Sequence, residues 1–108
     1  MGEFLSVYIT ASSSAEAETI AEALVDERLA ACVNIFPARS VYRWQGKVTK
    51  ENEVILIAKS RAEHFDRLSA RVKDLHSYSC PCIVAWPIAA AYRPYLDWLA
   101  DETKPQGS

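Results

Sequence analysis

A chain of 108 residues, half of them hydrophobic and 24% charged, has the size and composition of one folded domain. The net charge of -2, without a run of Lys and Arg, argues against a nucleic-acid partner, and no stretch reaches the roughly 18 apolar residues of a membrane span. The three cysteines predict free thiols and a cytoplasmic location, because the apolar content suffices for folding without disulfides. We assign residues 1–102 to the domain and expect residues 103–108 to form a disordered tail.

The first elements are a predicted strand and helix. Leu5 to Thr10 alternates apolar with polar residues and is rich in β-branched and aromatic types, which is typical of a strand. Ser13 and Glu16 have the spacing of a capping box, so a helix is expected to begin there. This helix is expected to end near Arg28, a cation suited to the negative end of the helix dipole.

A long β-hairpin is predicted next. Ala30 to Phe36 is apolar enough for a strand, and we expect a bend or bulge at Pro37 because proline cannot donate to a sheet ladder. The strand is expected to resume over Ser40 to Trp44. Gln45-Gly46 supplies the turn, and the return strand runs over Lys47 to Ser60.

The second half repeats the pattern of helix and strand. Ser60 and Glu63 have the form of a second capping box, and Phe65 to His76 carries apolar residues at three- and four-residue spacing. Ile83 to Trp86 predicts a fourth strand, and Tyr92 to Leu99 predicts a terminal helix. The order β-α-β-β-α-β with a C-terminal helix predicts a ferredoxin-like α+β sandwich with an extended hairpin between its second and third strands.

The hairpin is too long for its own domain. Strands of about 12 residues rising roughly 3.3 Å each span about 40 Å. A domain of this size has a radius of gyration of about 13 Å, which corresponds to a sphere about 34 Å across. The projecting edges, with Val41, Tyr42, Trp44 and Val48, would invite aggregation unless another subunit paired with them. We therefore expect an oligomer.

A family resemblance rests on two groups of residues. In the hairpin it is carried by Ala30-Ala31-Cys32-Val33-Asn34-Ile35 followed by Pro37, Ser40, Tyr42, Trp44 and Gly46. Downstream it is carried by Glu53, Lys59, Phe65, His76-Ser77-Tyr78, Pro81, Ile83, Pro87, Tyr92, Tyr95-Leu96 and Trp98. Through these residues the chain resembles the CutA divalent-cation tolerance proteins over about Ser6 to Leu99.

The resemblance implies a ferredoxin-like protomer in a homotrimer joined through the long hairpins, an arrangement similar to the PII signalling proteins. It also implies a part in tolerance of copper and other divalent metals, with metal ions as ligands. In some members copper is associated with a cysteine near the end of strand one and with adjacent histidines. In this sequence Ile9 and Leu75 hold two of those places and only His76 matches.

The most metal-like cluster in the sequence is His76, Cys80 and Cys82. Alternate residues of an extended segment point to one side, and thiolates suit soft or borderline metals such as Cu(I) and Zn(II). The alternative is that the two cysteines simply pack where the chain enters strand four. In the family this segment usually ends in Pro-Glu, whereas Cys82 here replaces the acidic residue.

Two charged residues lie in a segment of the return strand that is otherwise suited to burial on both faces. Glu53 and Lys59 are six residues apart and hence on one face, but too far apart to be neighbours. Each needs a partner because buried charge is costly, so we expect salt bridges between subunits, or an anion pocket at Lys59.

Four further residues are candidates for a subunit interface or for a ligand cleft between subunits: Asn34, Tyr42, Trp44 and Tyr78. They combine polar tips with large apolar bodies, which suits either role. His64, in contrast, is expected to be exposed, and Cys32 is expected to be a buried structural thiol.

Enzyme templates are missing from the sequence, which has no Gly-rich phosphate loop, Gly-x-Ser-x-Gly elbow or His-Glu-x-x-His motif, so we expect no catalysis. Two functions stay open. One is a trimeric protein that binds or responds to metal ions such as copper, with no metal required for folding. The other is a PII-like signalling or scaffold module that binds a small ligand or a protein at clefts between subunits.

Overall fold

The computed structural model describes residues 3–105. Within this range the elements are β1 (Phe4–Ala11), α1 (Ser14–Asp26), β2 (Cys32–Trp44), β3 (Lys47–Arg61), a 3-10 turn (Ala62–His64), α2 (Phe65–Leu75), β4 (Ile83–Pro87) and α3 (Arg93–Glu102). The strands form one antiparallel sheet in the order β2-β3-β1-β4. This arrangement confirms the predicted ferredoxin-like α+β fold.

The main core lies between one face of the sheet and the helices α1 and α2. Every second residue of the central strands points into it, as the two-residue period of a strand requires. The fully buried members of this core include Val7, Ile9, Leu56, Ala58, Ile20, Leu24, Leu68 and Val72. Neither α1 nor α2 covers the other face of the sheet, which we call the open face; it carries Ser6, Tyr8 and Thr10 of β1 and their cross-strand neighbours.

The predicted capping box at α1 is half formed. The Oγ atom of Ser13 accepts a hydrogen bond from the backbone N–H of Glu16 at 3.1 Å, as an N-cap does. The Glu16 carboxylate, however, accepts from the backbone N–H of Ser12 at 2.9 Å instead of returning to Ser13. The helix ends at Asp26, and Arg28 then adopts a positive φ of 61° to turn the chain toward β2.

The expected bend at Pro37 is wrong. Strand β2 runs without interruption, and Pro37 lies opposite Val54 in an unbroken register from Cys32 to Trp44. The physical reason is that β2 is an edge strand of the sheet. Half of the backbone groups of such a strand point away from the ladder, so a residue without an N–H is accommodated.

The expected second capping box and the expected exposure of His64 are also wrong. Ser60 lies inside β3, fully buried, where its hydroxyl donates to the backbone carbonyl of Leu29. His64 is only 1% exposed. Its Nδ1 accepts from Nη2 of Arg67 at 2.8 Å, so its Nε2 carries the proton and donates to the carbonyl of Thr103 at 2.7 Å.

The hairpin extends well beyond the helical layer. Strands β2 and β3 have 13 and 15 residues, and the longest dimension of the chain is 46 Å against 27 and 21 Å for the other two. Gln45 and Gly46 both have positive φ, as a tight two-residue hairpin turn requires. The outer part leaves Val41, Trp44 and Val48 more than half exposed. No helix within residues 3–105 is long and apolar enough to cross a membrane.

The C-terminal end of the described chain is anchored through a buried hydroxyl. Thr103 is fully buried; its Oγ1 donates to the carbonyl of Leu99 at 2.7 Å and accepts from Nε of Arg61 at 2.9 Å. Arg61 also donates to the carbonyl of Ala100. The ordered structure therefore includes Thr103, which we had assigned to the tail, whereas residues 106–108 of that segment lie outside the described residues.

Replacing this hydroxyl tests the anchor. Thr103→Val keeps the shape of the side chain but leaves the Arg61 guanidinium without one acceptor, so we expect the free energy of unfolding to fall by about 1–3 kcal/mol. Urea unfolding measures the change. Thr19→Val, at an exposed position of α1, is the matched control. Equal stability of the two variants would contradict the anchoring role.

Candidate functional site

The open face of the sheet carries large apolar side chains that are unusually exposed. Phe36, Val84 and Trp86 are 44%, 47% and 53% exposed. Tyr8 lies edge-on to Trp86, with ring centroids 5.8 Å apart. Large apolar side chains exposed together on one face of a sheet are characteristic of a contact surface.

A cleft of about 660 Å³ lies between the outer hairpin, the end of β1 and the loop of residues 76–82. Its walls carry three kinds of chemical groups: aromatic rings, carboxylates and thiols. The residues that supply them are Tyr8, Tyr42, Trp44, Tyr78, Glu51, Glu53, Cys80 and Cys82. The cleft therefore unites all the predicted cleft and thiol residues except His76, Asn34 and Lys59.

The two carboxylates in the cleft are each held by a tyrosine. Glu53 is only 7% exposed, and its Oε2 accepts a hydrogen bond from the hydroxyl of Tyr78 at 2.9 Å. The hydroxyl of Tyr42 donates to Oε1 of Glu51. These contacts fix both carboxylates against aromatic rings, at the wall of the cleft.

Both phenols remain protonated donors. The hydrogen bond to Glu51, together with slight burial and the nearby negative charges, raises the pKa of Tyr42 to about 12. Burial, and then the hydrogen bond to Glu53, raise the pKa of Tyr78. Neither tyrosine therefore offers a phenolate to a metal or a substrate at neutral pH.

The two thiols lie on the segment that enters β4, immediately before Ile83, and both residues are exposed. Partial burial, and then the negative charge of Glu53, raise the pKa of the Cys82 thiol. Cys82 is therefore a neutral thiol near pH 7, and a metal that binds it has to displace a proton.

His76 does not join the thiols as a third ligand. Its side chain is fully buried; Nε2 donates to the carbonyl of Thr10 at 2.6 Å and Nδ1 accepts from the backbone N–H of Tyr78 at 3.0 Å. Both ring nitrogens are thus occupied. Across residues 3–105, no group of three or more His, Cys, Asp and Glu side chains is placed to hold a metal ion. The predicted trio of His76, Cys80 and Cys82 is therefore not assembled, because His76 holds the loop in place.

A partly buried carboxylate, that of Glu16, fixes the other side of the same loop. Oε2 of Glu16 accepts from the backbone N–H of Ser77 at 2.8 Å, while Oε1 accepts from Ser12. Partial burial raises the pKa of Glu16, but the hydrogen bonds from Ser12 and Ser77 outweigh it and lower the pKa to about 2. Glu16 thereby ties the loop to the start of α1.

Asn34 and Lys59 form a separate polar group on the open face. Nζ of Lys59 donates to Oδ1 of Asn34 at 3.2 Å. Cys32 lies opposite Lys59 and, at the strand end, is only half buried, unlike the fully buried thiol that we expected. Burial, and then the neighbouring Cys32, raise the pKa of the Tyr95 hydroxyl on α3. Neither Asn34 nor Lys59 lines the cleft, so this polar group is separate from the thiols.

The sequence analysis missed three contributors to the site: Tyr8, Glu51 and Glu16. For the first two, the sequence does contain a signal in the alternation of residues along a strand. Tyr8 alternates with the core residues Val7 and Ile9, and Glu51 shares a face with Glu53 two residues away. Glu16 gave no such signal, because its contact with Ser77 spans 61 residues.

The fold and the cleft together define a small ferredoxin-like α+β protein with an open sheet face and a thiol-bearing, acidic binding cleft. A family model, that of the CutA1 divalent ion tolerance protein, matches residues 5–102. The chain belongs to this CutA1 family. The family is named for tolerance of divalent ions and not for catalysis.

Individual relatives agree with this assignment. The divalent-cation tolerance protein CutA of Thermus thermophilus is 54% identical over 98 residues, which cover 90% of this chain and 95% of that protein. The protein of the same name from Archaeoglobus fulgidus is 48% identical over 97 residues, covering 90% and 94%. The solved structure of periplasmic divalent cation tolerance protein CutA from A. fulgidus superposes with a TM-score of 0.92 at 44% identity, covering 94% of this chain and 99% of that chain.

The Glu16 anchor gives stability a defined pH dependence. Because folding lowers the pKa of Glu16 from 4.5 to about 2, its contribution is fully present above about pH 4.5 and is lost as the pH falls toward 2. We expect Glu16→Gln to lower the free energy of unfolding at pH 7 by about 1.5–3 kcal/mol, and the difference from wild type to shrink across that window.

Urea unfolding at several pH values measures this effect. Glu18→Gln, at an exposed position of the same helix, is the control and should leave stability nearly unchanged. A deficit in Glu16→Gln that stayed constant from pH 7 to pH 2 would contradict the electrostatic origin of the anchor.

Proposed function

We propose that this protein contributes to tolerance of divalent cations by binding a soft or borderline metal ion, such as copper, at the cleft. Membership of the CutA1 family supports a metal-tolerance role. The observation that carries the finer proposal is that Cys80 and Cys82 line one cleft together with the carboxylate of Glu53. Sulfur ligands favour Cu(I) and Zn(II) over Mg²⁺ and Ca²⁺.

In this proposal each residue around the thiols has a defined role. Cys80 and Cys82 supply the sulfur ligands, and Glu53 adds negative charge beside Cys82. His76 and Glu16 act as positioning residues, since they hold the loop from opposite sides without facing the cleft as ligands. The proposal requires no metal for folding. A cytoplasmic location, where thiols stay reduced, belongs to the same proposal.

Metal titration of the reduced protein tests the assignment. We expect saturable binding of Cu(I) or Zn(II) by calorimetry, strengthening as the pH rises because a Cys82 proton must leave. Cys80→Ser combined with Cys82→Ser should weaken binding at least about tenfold. Cys32→Ser, a thiol outside the cleft, is the matched control and should bind as wild type does. Unchanged binding by the double variant would contradict the site.

We further propose that the working unit is a homotrimer. The open face exposes Phe36, Val84 and Trp86, and the projecting hairpin exposes Val41 and Val48. Strand β2 is an edge, which a second chain is able to extend by backbone pairing. Three copies is the number that the family resemblance implies, and a closed ring satisfies every edge.

Charge on the hairpin supports contact between copies. Arg39, Arg43 and Lys50 point to the side of the sheet on which α1 and α2 pack, whereas the open face of the hairpin carries two carboxylates, Glu51 and Glu53, and two lysines. One face of the hairpin is therefore basic and the other carries both signs. A head-to-tail assembly that set the basic face of one hairpin near Glu51 and Glu53 of another would use this difference.

Light scattering at micromolar concentration tests the trimer. We expect a mass three times the 12.1 kDa of one chain. Trp86→Asp, which places a charge on the open face, should shift the distribution toward smaller species. Val25→Asp is the control, since Val25 is a similarly exposed apolar residue on α1. A monomeric wild-type protein would contradict the proposal.

A second candidate function is a PII-like signalling or scaffold module that binds a small ligand. The specific observation in its favour is the size and chemistry of the cleft, since about 660 Å³ lined by aromatic rings and two carboxylates suits a small organic molecule. Binding of a small organic molecule to the cleft, measured by thermal shift with all metal chelated, would favour the module over the metal-binding role.

A further inference from the structure

A buried histidine lies away from the cleft, where the start of α2 meets the end of α3. His64 ends the 3-10 turn and holds the N-cap position of α2; it is only 1% exposed and lines no part of the cleft. Both of its ring nitrogens contact groups of the same chain, so their hydrogen bonds are set by the fold of one protomer. The proposed metal and ligand sites do not use it.

The contacts of the ring fix its protonation state. Nδ1 lies 2.8 Å from Nη2 of Arg67, and a guanidinium only donates, so Nδ1 carries a lone pair and no proton. Nε2 lies 2.7 Å from the carbonyl oxygen of Thr103, which only accepts, so Nε2 carries the proton. Of the two neutral tautomers and the imidazolium, only the neutral ring with its proton on Nε2 makes both hydrogen bonds.

The positive groups around the ring disfavour an added proton. A proton on Nδ1 would face the Arg67 guanidinium, so the hydrogen bond would become a contact between two cations. His64 also stands at the start of α2, which is the positive end of that helix dipole. The Thr103 carbonyl attracts a positive ring, but it already accepts a hydrogen bond from the neutral one.

The neighbouring carboxylates do not offset these positive groups. Within residues 3–105 no Asp or Glu forms an ion pair with His64. The acidic residues of the 3-10 turn, the first turn of α2 and the end of α3 are Glu63, Asp66, Asp101 and Glu102. Three of them pair with Arg61, Lys104 and Arg28 at 3.1 to 4.0 Å, and Asp66 is exposed. A proton on the ring would therefore lack a countercharge.

The ring is one of three basic groups that hold the end of α3. A helix leaves its last carbonyls without partners inside the helix, and here side chains from other elements supply the donors. Arginine keeps its proton in proteins, so among the three donors only the histidine changes its hydrogen bonding near neutral pH. The three pairs of donor side chain and acceptor carbonyl are Arg61 with Ala100, Arg28 with Glu102, and His64 with Thr103.

We propose that His64 is a proton-operated latch on the C-terminal end of α3. The neutral ring joins the start of α2 to the carbonyl of Thr103 and keeps the latch closed. Uptake of a proton on Nδ1 leaves a buried N–H without an acceptor, so the ring leaves its site, Thr103 loses its donor and the last turn of α3 opens. The core between the sheet and the helices α1 and α2 stays in place. This latch is independent of the proposed metal and ligand binding.

The latch has a defined direction with pH. The closed state holds a neutral ring, whereas the open state exposes a histidine that binds a proton below about pH 6.5. The open state therefore binds more protons, and its population rises as the pH falls through this range, by up to about tenfold per pH unit. Glu16 acts only between about pH 4.5 and 2, so the two effects are separable.

Amide hydrogen exchange over residues 99–104 measures the opening in the full-length protein. After correction for intrinsic exchange rates, the protection of this segment in the wild-type protein should fall from about pH 8 to about pH 5.5, while β1 keeps its protection. His64→Gln supplies a donor and an acceptor but takes up no proton in this range, so its protection should not change with pH.

Nitrogen NMR of the histidine rings tests the protonation state directly. We expect the wild-type ring of His64 to carry its proton on Nε2 at about pH 8. The chain has two histidines, so the signal that disappears in His64→Gln belongs to this ring.

A second variant separates the latch from general destabilisation. Arg67→Gln keeps an N–H donor for Nδ1 and removes the positive charge, so opening should move to lower pH. Lys73→Gln removes a cation from an exposed position of the same helix and is the matched control, which should behave as wild type does. This comparison keeps the test informative if His64→Gln does not fold.

Two results would overturn the proposal. One is a wild-type His64 ring that carries its proton on Nδ1, or on both nitrogens, at about pH 8. The other is an equal pH dependence of protection over residues 99–104 in the wild-type protein and in His64→Gln. Metal binding and trimer formation are measured separately, so neither result bears on them.

Discussion

The rest of the structure depends on the mismatch between a long hairpin and a short helical layer. Strands β2 and β3 pair in register from Cys32 and Lys59 to Trp44 and Lys47, and the chain extends 46 Å along its longest axis. Helices α1 and α2 cover only the inner part of this ladder, and only on one face. The outer part is left as an exposed edge with apolar side chains, a condition that soluble proteins resolve by covering the edge.

The same mismatch creates the cleft. Because the hairpin continues past the helical layer, its open face is free to form a wall with Tyr42, Trp44 and Glu51. The opposite wall is the loop before β4, which Glu16 and His76 hold in place. A shorter hairpin would keep the core intact, but it would supply no wall to the cleft and would leave no projecting edge. The proposed assembly and the proposed binding therefore depend on one element, the hairpin.

The sequence predicted those features that follow from local patterns. Strand and helix periodicity identified the four strands and three α-helices of residues 3–105, and their order identified the ferredoxin-like fold. Errors arose where a distant contact decided the outcome. His64 is buried because its Nε2–H donates a hydrogen bond to the carbonyl of Thr103, 39 residues away. His76 is unavailable to metal because its Nε2–H donates in the same way to the carbonyl of Thr10, 66 residues away. The pairing of Glu53 with Tyr78 joins residues 25 apart and could not be read from spacing.

A crystal structure of the reduced protein grown with copper, phased or mapped at the copper absorption edge, tests the central claim most directly. The account predicts that the outer hairpin is buried against neighbouring copies in a closed ring. It also predicts an anomalous peak beside Cys80 and Cys82, where the cleft meets the adjoining copy. A hairpin that projects into solvent, with Trp44 and Val48 exposed and the cleft facing no other chain, would contradict the account.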